Sequence, residues 1–311
     1  MKNQLASTEN KITIANLFDR DTILHLRIPF SLFLMPIFLF GISQAPGVNL
    51  HNTILIFFAL HLFIYPGSNV YNSYMDRDTG SIGGLEKPPP VTKKLFYASI
   101  IADTIGLILC LFISLPLTGL MLLYMLASKA YSWHGIRFKK YAIGGWMIVM
   151  VFQGGFTFML ANMAASGVFG AEWFSQKNLE CMVFASLIIG GSYPLTQIYQ
   201  HKEDSERGDK TISYLLGIKG TFLFTALFFT LGTGVAFHFF NRYYGIIHFA
   251  LFIVCTIPVV SYFFNWFRLA IKNSAAADFR HTMQMNKISS VCMIVYFLLL
   301  LFLNHMVSGE L

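Results

Sequence analysis

The chain has 311 residues, 55% hydrophobic and 12% charged, with a formal net charge of +7. Soluble domains carry roughly 25% charged residues, so the composition argues against a water-soluble enzyme, and it lacks the low hydrophobicity that disorder requires. Four Cys are too sparse for a secreted disulfide scaffold; what fits is one polytopic, all-α membrane bundle.

Residues 1–22 are polar, carry Glu9, Asp19 and Asp21, and lack the pattern of a cleaved signal peptide. They read as a short segment ahead of a single transmembrane domain, 23–311. A bilayer crossing needs about 20 apolar residues. Such stretches recur nine times, at roughly 24–44, 51–73, 95–115, 117–134, 142–165, 179–199, 214–239, 246–267 and 286–308. The third and fourth are parted only around Pro116. With loops assigned alternately to two sides, one side and its helix ends collect every Lys and Arg except Lys177 and Arg242. The positive-inside rule makes that side, and the N-terminus, cytoplasmic. An inside N-terminus and an outside C-terminus require an odd number of spans, which nine satisfies. Cys110, Cys181, Cys255 and Cys292 fall inside apolar stretches without metal-ligand spacing and read as small buried hydrophobes.

Acidic residues are few but clustered. Asp76, Asp78 and Glu86 follow the second span, and Glu203, Asp204, Glu206 and Asp209 follow the sixth. Asn72 and Asp76 are four residues apart and share one helix face; Tyr65 and His61 lie seven and eleven residues before Asn72, near the same face. Asp78 stands about 200° around a regular helix from Asp76, so it joins them only if the helix has ended, as Thr79, Gly80, Gly83 and Gly84 favour. In the second cluster Gln197, Gln200 or His201, and Asp204 follow helical spacing. Hard oxygen ligands of this kind suit Mg²⁺, which also takes waters and phosphate oxygens. Two such clusters can bridge one diphosphate, with Lys87, Arg137, Lys139, Lys140, Arg207 and Lys210 in loops on the same side to neutralise it.

With those residues in view, the chain resembles the UbiA superfamily of intramembrane prenyltransferases over nearly its whole length. The resemblance rests on nine spans, on Leu26-Arg27-Ile28-Pro29, on the Asn72 to Asp78 stretch, on Tyr131 to Lys140, and on Asp204 to Thr211. It implies a bundle around a central cavity open to lipid. The implied activity is Mg²⁺-dependent transfer of an isoprenyl group from an isoprenyl diphosphate to a small lipophilic, often aromatic, acceptor. By position, Asn72, Asp76 and Asp204 are the catalytic set. Asn72, Asp76, Asp78, Glu203 and Asp204 are the metal set. Arg27, Lys87, Tyr131, Arg137, Lys139, Gln200 and Lys210 are the substrate-binding set. The chain departs from the family pattern at Ser73, Gly80 and Gln200, where the family carries Asp; Asp78 and Glu203 are the nearest compensating carboxylates.

No general base is identifiable beyond His61 and His201 by position. Asp103, within the third span, is a candidate functional carboxylate or a partner for a neighbouring helix. Gln153-Gly154-Gly155 reads as close helix packing with a cross-helix hydrogen bond. Two other readings stay open: a related transferase using another activated polyprenyl lipid and a non-aromatic acceptor, and a transporter or non-catalytic membrane protein. The basic residues follow membrane topology, so no nucleic-acid partner is expected. The expected setting is integral in the membrane (the inner or plasma membrane for a bacterial chain), with the site near the cytoplasmic face.

Overall fold

The computed structural model describes residues 17–306; most of the expected N-terminal segment and the tail from residue 307 lie outside the described residues. The chain folds into long helices, which we number α1 Arg20–Ser43, α2 Leu50–Asp76, α3 Lys94–Leu111, α4 Leu115–Ser132, α5 Ala142–Ser166, α6 Gln176–Arg207, α7 Ile212–Tyr243, α8 Ile246–Lys272 and α9 Phe279–Met306. Eight are long and apolar enough to cross a membrane by length and composition. The other, α4, holds Lys129 in its last turn. The order and placing of the helices agree with the stretches read from the sequence.

Apolar residues face both ways. Inside, Phe40 of α1 is fully buried, with ring centroids 5.0 Å from Phe158, 5.2 Å from Phe184 and 4.9 Å from Phe297, so α1, α5, α6 and α9 share one aromatic core. Outside, Leu115, Phe112, Ile143 and Val254 are 60–75% exposed. So broad an apolar surface is stable only against lipid or a partner; this is a multi-pass integral membrane protein. With lipid outside, helices gain little from hydrophobic burial and pack through small residues instead. A Cβ on Gly154 would lie 2.6 Å from Ser186 Cα of α6, and the Gly155 N–H donates to Ser186 Oγ at 3.1 Å. The Gly pair therefore packs α5 against α6 as its sequence implies, while Gln153 faces the central cavity.

Four local departures from regular helix position the site. A π turn over Ala59–Ile64 interrupts α2, and another over Met150–Phe156 interrupts α5. In α6, Pro194 removes a backbone donor, and a 3₁₀ turn over Ile198–Gln200 precedes the last stretch, His201–Arg207. Helix α1 breaks at Arg27, which adopts φ 50, ψ 42 between Arg20–Leu26 and Ile28–Ser31. Asp19 caps α1 by accepting the Thr22 N–H at 2.9 Å and ties it to α3 through Lys94 at 2.6 Å. The Lys94 ammonium, with the Thr22 N–H, holds the Asp19 carboxyl down at about 2. The tie is thus complete above the ordinary carboxyl range and fades only as pH falls toward 2.

Asp103 pairs with Lys129 of α4 at 2.7 Å, and the ammonium also donates to Ser99 Oγ at 2.8 Å and lies 4.3 Å from the centroid of the Tyr71 ring. Neither residue lines the central cavity, so the pair joins α2, α3 and α4. Removing one member leaves the other charge buried alone, typically a loss of about 3–5 kcal/mol. Asp103→Ala is therefore expected to lower the thermal unfolding midpoint in detergent clearly, and Asp103→Ala/Lys129→Leu to recover part of that loss.

Candidate active site

Helix α2 ends at Asp76 because Arg77 turns left-handed (φ 52, ψ 42), its N–H returning to Ser73 O. The early ending releases Asp78 from the helix and brings it to the same cavity as Asn72 and Asp76. Asn72 Nδ2 donates to Asp76 Oδ2 at 2.7 Å and to Ser132 Oγ at 2.9 Å. From α6, Asp204 is buried and accepts from Thr211 Oγ1 at 2.9 Å; beyond Gly208, the Asp209 N–H returns to Asp204 O. A third contribution comes from the connection between α4 and α5. Short parallel bridges from Tyr141 to Lys210 and from Ala142 to Thr211 bind that loop to the α6–α7 loop.

The bridged loops interleave charge. Lys139 Nζ lies 2.6 Å from Asp76 Oδ2 and 3.7 Å from Asp209 Oδ2. Arg137, also left-handed (φ 48), grips Asp209 with Nε at 3.1 Å and a terminal nitrogen at 3.0 Å, and stands 3.9 Å from Asp76 Oδ1. Asp209 raises the Arg137 guanidinium above its ordinary value against the cost of burial, which keeps it charged. Nearby, Arg207 pairs with Asp78 and, at 3.1 Å, with Glu203. The Arg27 guanidinium donates to Asn69 O at 2.7 Å and Gly83 O at 3.1 Å, tying the break in α1 to α2 and the following loop.

These groups ring one end of a cavity of about 400 Å³. Its deeper wall is apolar and aromatic, with Phe33, Tyr65, Tyr124, Phe152, Phe229 and Phe252. Of the residues expected from sequence, Arg27, Asn72, Asp76, Asp78, Tyr131, Lys139, Gln200 and Asp204 line it. Lys87 and Lys210 do not: both are exposed on loops outside it. Arg137 stands behind the lining, on Asp209. Glu203 faces Gly80, where an added side chain would run into its carboxylate, and Gln200 donates to Ser81 O at 3.3 Å. Both thus hold the loop after α2. His61 is buried away from the lining, and His201 Nε2 sits 2.8 Å from Ser213 Oγ, so neither candidate base reaches the cavity.

Sequence reasoning counted Asp209 in the second acidic cluster without a role of its own, and gave Tyr193 none. The Tyr193 hydroxyl is hydrogen-bonded to that of Tyr131 and accepts from Gln197 Nε2 at 2.8 Å. Tyr193 lies eleven residues before Asp204, a spacing that carried the only available signal.

Among the described residues, no three His, Cys, Asp or Glu side chains form a ready-made metal cage. The donor set still fits a hard cation. It is entirely oxygen, and Asp76 Oδ1 is buried without a hydrogen-bond partner. Mg²⁺ is commonly held by one or two carboxylates plus phosphate oxygens and water.

The UbiA prenyltransferase family model matches residues 33–291. The chain belongs to the UbiA prenyltransferase family. It is accordingly a prenyltransferase by membership. Solved structures carry the same fold. A UbiA homolog from Archaeoglobus fulgidus bound to GPP and Mg²⁺ aligns with a TM-score of 0.65 at 16% identity, covering 90% of this chain and 99% of that one. An apo UbiA homolog from Aeropyrum pernix K1 gives 0.65 at 14% identity, with 91% and 98% covered. A digeranylgeranylglyceryl phosphate synthase structure gives 0.56 at 19% identity, with 89% and 97% covered. No curated protein matched the chain.

The Gly80–Glu203 contact yields a test within this family. Gly80→Asp would place two carboxylates in one space, so it is expected to destabilise the loop alone and to be tolerated with Glu203→Ala. A double-mutant cycle read by thermal unfolding should give a coupling of at least about 0.5 kcal/mol; additive effects would separate the two positions.

Proposed function

We propose that this protein transfers an isoprenyl group from an isoprenyl diphosphate to a small lipophilic acceptor, an aromatic ring in the reading we favour. The observation that carries this is the meeting of two carboxylate-bearing helix ends, α2 and α6, over a cavity whose other end is apolar and aromatic. The polar end suits a diphosphate and the apolar end its hydrocarbon. By the positive-inside rule the charged end faces the cytoplasm.

Asp76 and Asp204, with Asn72 and Asp78 beside them, are the residues that would hold Mg²⁺ on the diphosphate; the ion when bound supplies Lewis-acid charge stabilisation. Glu203, which faces Gly80 and Arg207, is assigned to the loop instead. Lys139 and Arg207 line the cavity and neutralise charge on the departing group, Arg137 backs them through Asp209, and Arg27 fixes the loop that closes over it. The donor C1–O bond breaks with its electron pair moving to the diphosphate. A π bond of the acceptor then supplies the pair that forms the new bond to C1. Tyr65, Tyr124 and Phe152 line the chamber where the allylic cation develops. An aromatic face contributes about 0.5–2 kcal/mol to a cation in such a setting. Among the described residues no histidine lines the chamber, and in this reading the acceptor proton passes to an oxygen of the departing diphosphate.

The test measures pyrophosphate release in nanodiscs from geranyl, farnesyl and geranylgeranyl diphosphate, with and without Mg²⁺, against aromatic and non-aromatic acceptors. Release should need Mg²⁺ and an acceptor. Asp76→Ala and Asp204→Ala should each lower turnover by roughly 10²–10³, the usual cost of removing one preorganised electrostatic group. Turnover that survives both substitutions would overturn the assignment.

A further inference from the structure

The charged end of the cavity has a second side. Beyond Asp76 and Asp209 the loops enclose an open hollow lined by Arg77, His134, Arg137 and Lys140, and by Arg207, which it shares with the main cavity. Asp76 and Asp209 form the common wall. Lys139 lines only the main cavity and Arg137 only the hollow. The interleaved charges are therefore a partition with one cation presented to each side.

The hollow is electropositive. Four guanidinium or ammonium groups line it against those two carboxylates, which are already paired with Lys139 and Arg137. Among the described residues, Arg77 and Lys140 make no ion pair: the Arg77 guanidinium lies 6.0 Å from the Tyr74 ring centroid and Lys140 Nζ 4.9 Å from that of Tyr141. Unpaired cations in a concave, loop-walled space attract anions far more than the same charges on a flat surface.

We propose that this hollow is a second phosphate-binding site, which takes inorganic pyrophosphate after prenyl transfer and releases it to water. The inference rests on the transferase reading above. The prenylated product can leave through lipid, but pyrophosphate cannot, and the hollow lies just across the Asp76–Asp209 wall from the place where it forms. Passage exchanges like for like. A phosphate oxygen replaces Asp76 on Lys139 and then Asp209 on Arg137, so no buried cation is left unpaired. Arg77 and Lys140 complete the route beyond the partition and touch neither reacting carbon nor the main cavity.

Binding of labelled pyrophosphate to the full chain in phosphatidylcholine nanodiscs tests this directly. Two sites are expected, one displaced by geranyl diphosphate and one not. Arg77→Gln/Lys140→Gln should weaken the second at least fivefold, while Arg77→Lys/Lys140→Arg should retain it. In turnover, inhibition by pyrophosphate should have a component that excess donor does not relieve. The Gln pair should abolish that component with donor KM and single-turnover rate unchanged. A single site fully displaced by donor and indifferent to the Gln pair would overturn the proposal. So would a second site that vanishes when phosphatidylserine is included, since the hollow would then hold a lipid headgroup. Two pyrophosphate sites on a chain that transfers no prenyl group would sustain the second site as a binding site and defeat the transferase reading on which its role as an exit depends.

Discussion

Carboxylates buried near one another in a membrane protein repel unless cations stand between them. At an effective dielectric constant of about 20, two unit charges 4 Å apart interact by about 4 kcal/mol, comparable with the stability of a small domain. Asp76 and Asp209 have side chains only 2% and 3% exposed, and both reach Lys139. Arg137 closes the arrangement from the other side. The loops that follow α2, α4 and α6 hold their shapes around this alternation: the helix end at Asp76, the bridge from Tyr141 to Lys210, and the turn through Gly208 each deliver one charge to it. Such a lattice also stores the pairing that a diphosphate and its metal need, because each cation is already held where an anionic oxygen can replace a carboxylate.

The backbone bears a cost for that arrangement. All three non-glycine residues with positive φ among the described residues are arginines, Arg27, Arg77 and Arg137. A left-handed non-glycine residue costs of order 1–3 kcal/mol and persists where its surroundings over-determine it. For Arg27 the surroundings are two backbone carbonyls, and for Arg137 the bidentate grip on Asp209. Long side chains with forked donors can reach back from a sharp turn to hold it. At Arg27 and Arg77 the turn breaks or ends a helix, and at Arg137 it leads into the short 3₁₀ segment Phe138–Lys140.

Much of this was legible in sequence because the membrane imposes simple periodic rules. Long apolar runs fix the helices, and rare acidic residues at their ends stand out against them. The end of α2 at Asp76 could be anticipated from the glycines after Asp78. What the spacing could not give was contact across loops. Lys87 and Lys210 have the right charge in the right loops but face outward, whereas Asp209, next to Lys210, turns in because Gly208 and the bridge to Tyr141 set the direction of the chain. Helical counting also failed at His61. The π turn over Ala59–Ile64 puts an extra residue into that part of α2. Spacing of eleven from Asn72 then no longer keeps His61 on its face, although Tyr65 remains in the cavity. The fit of Gly80 against Glu203 was invisible for a similar reason: it joins the loop after α2 to the end of α6, which is distant in sequence.

The bridge from Tyr141 and Ala142 to Lys210 and Thr211 is only two residues long. It nonetheless makes mechanical partners of segments some 70 positions apart. Lys139 lies two residues before one side of it and Asp209 one residue before the other, so the two are joined by backbone bridges as well as by their own ion pair. A ligand pulling on the lysine therefore drags the aspartate with it. The two loops are therefore built as one mechanical unit, joined at a pair of backbone bridges.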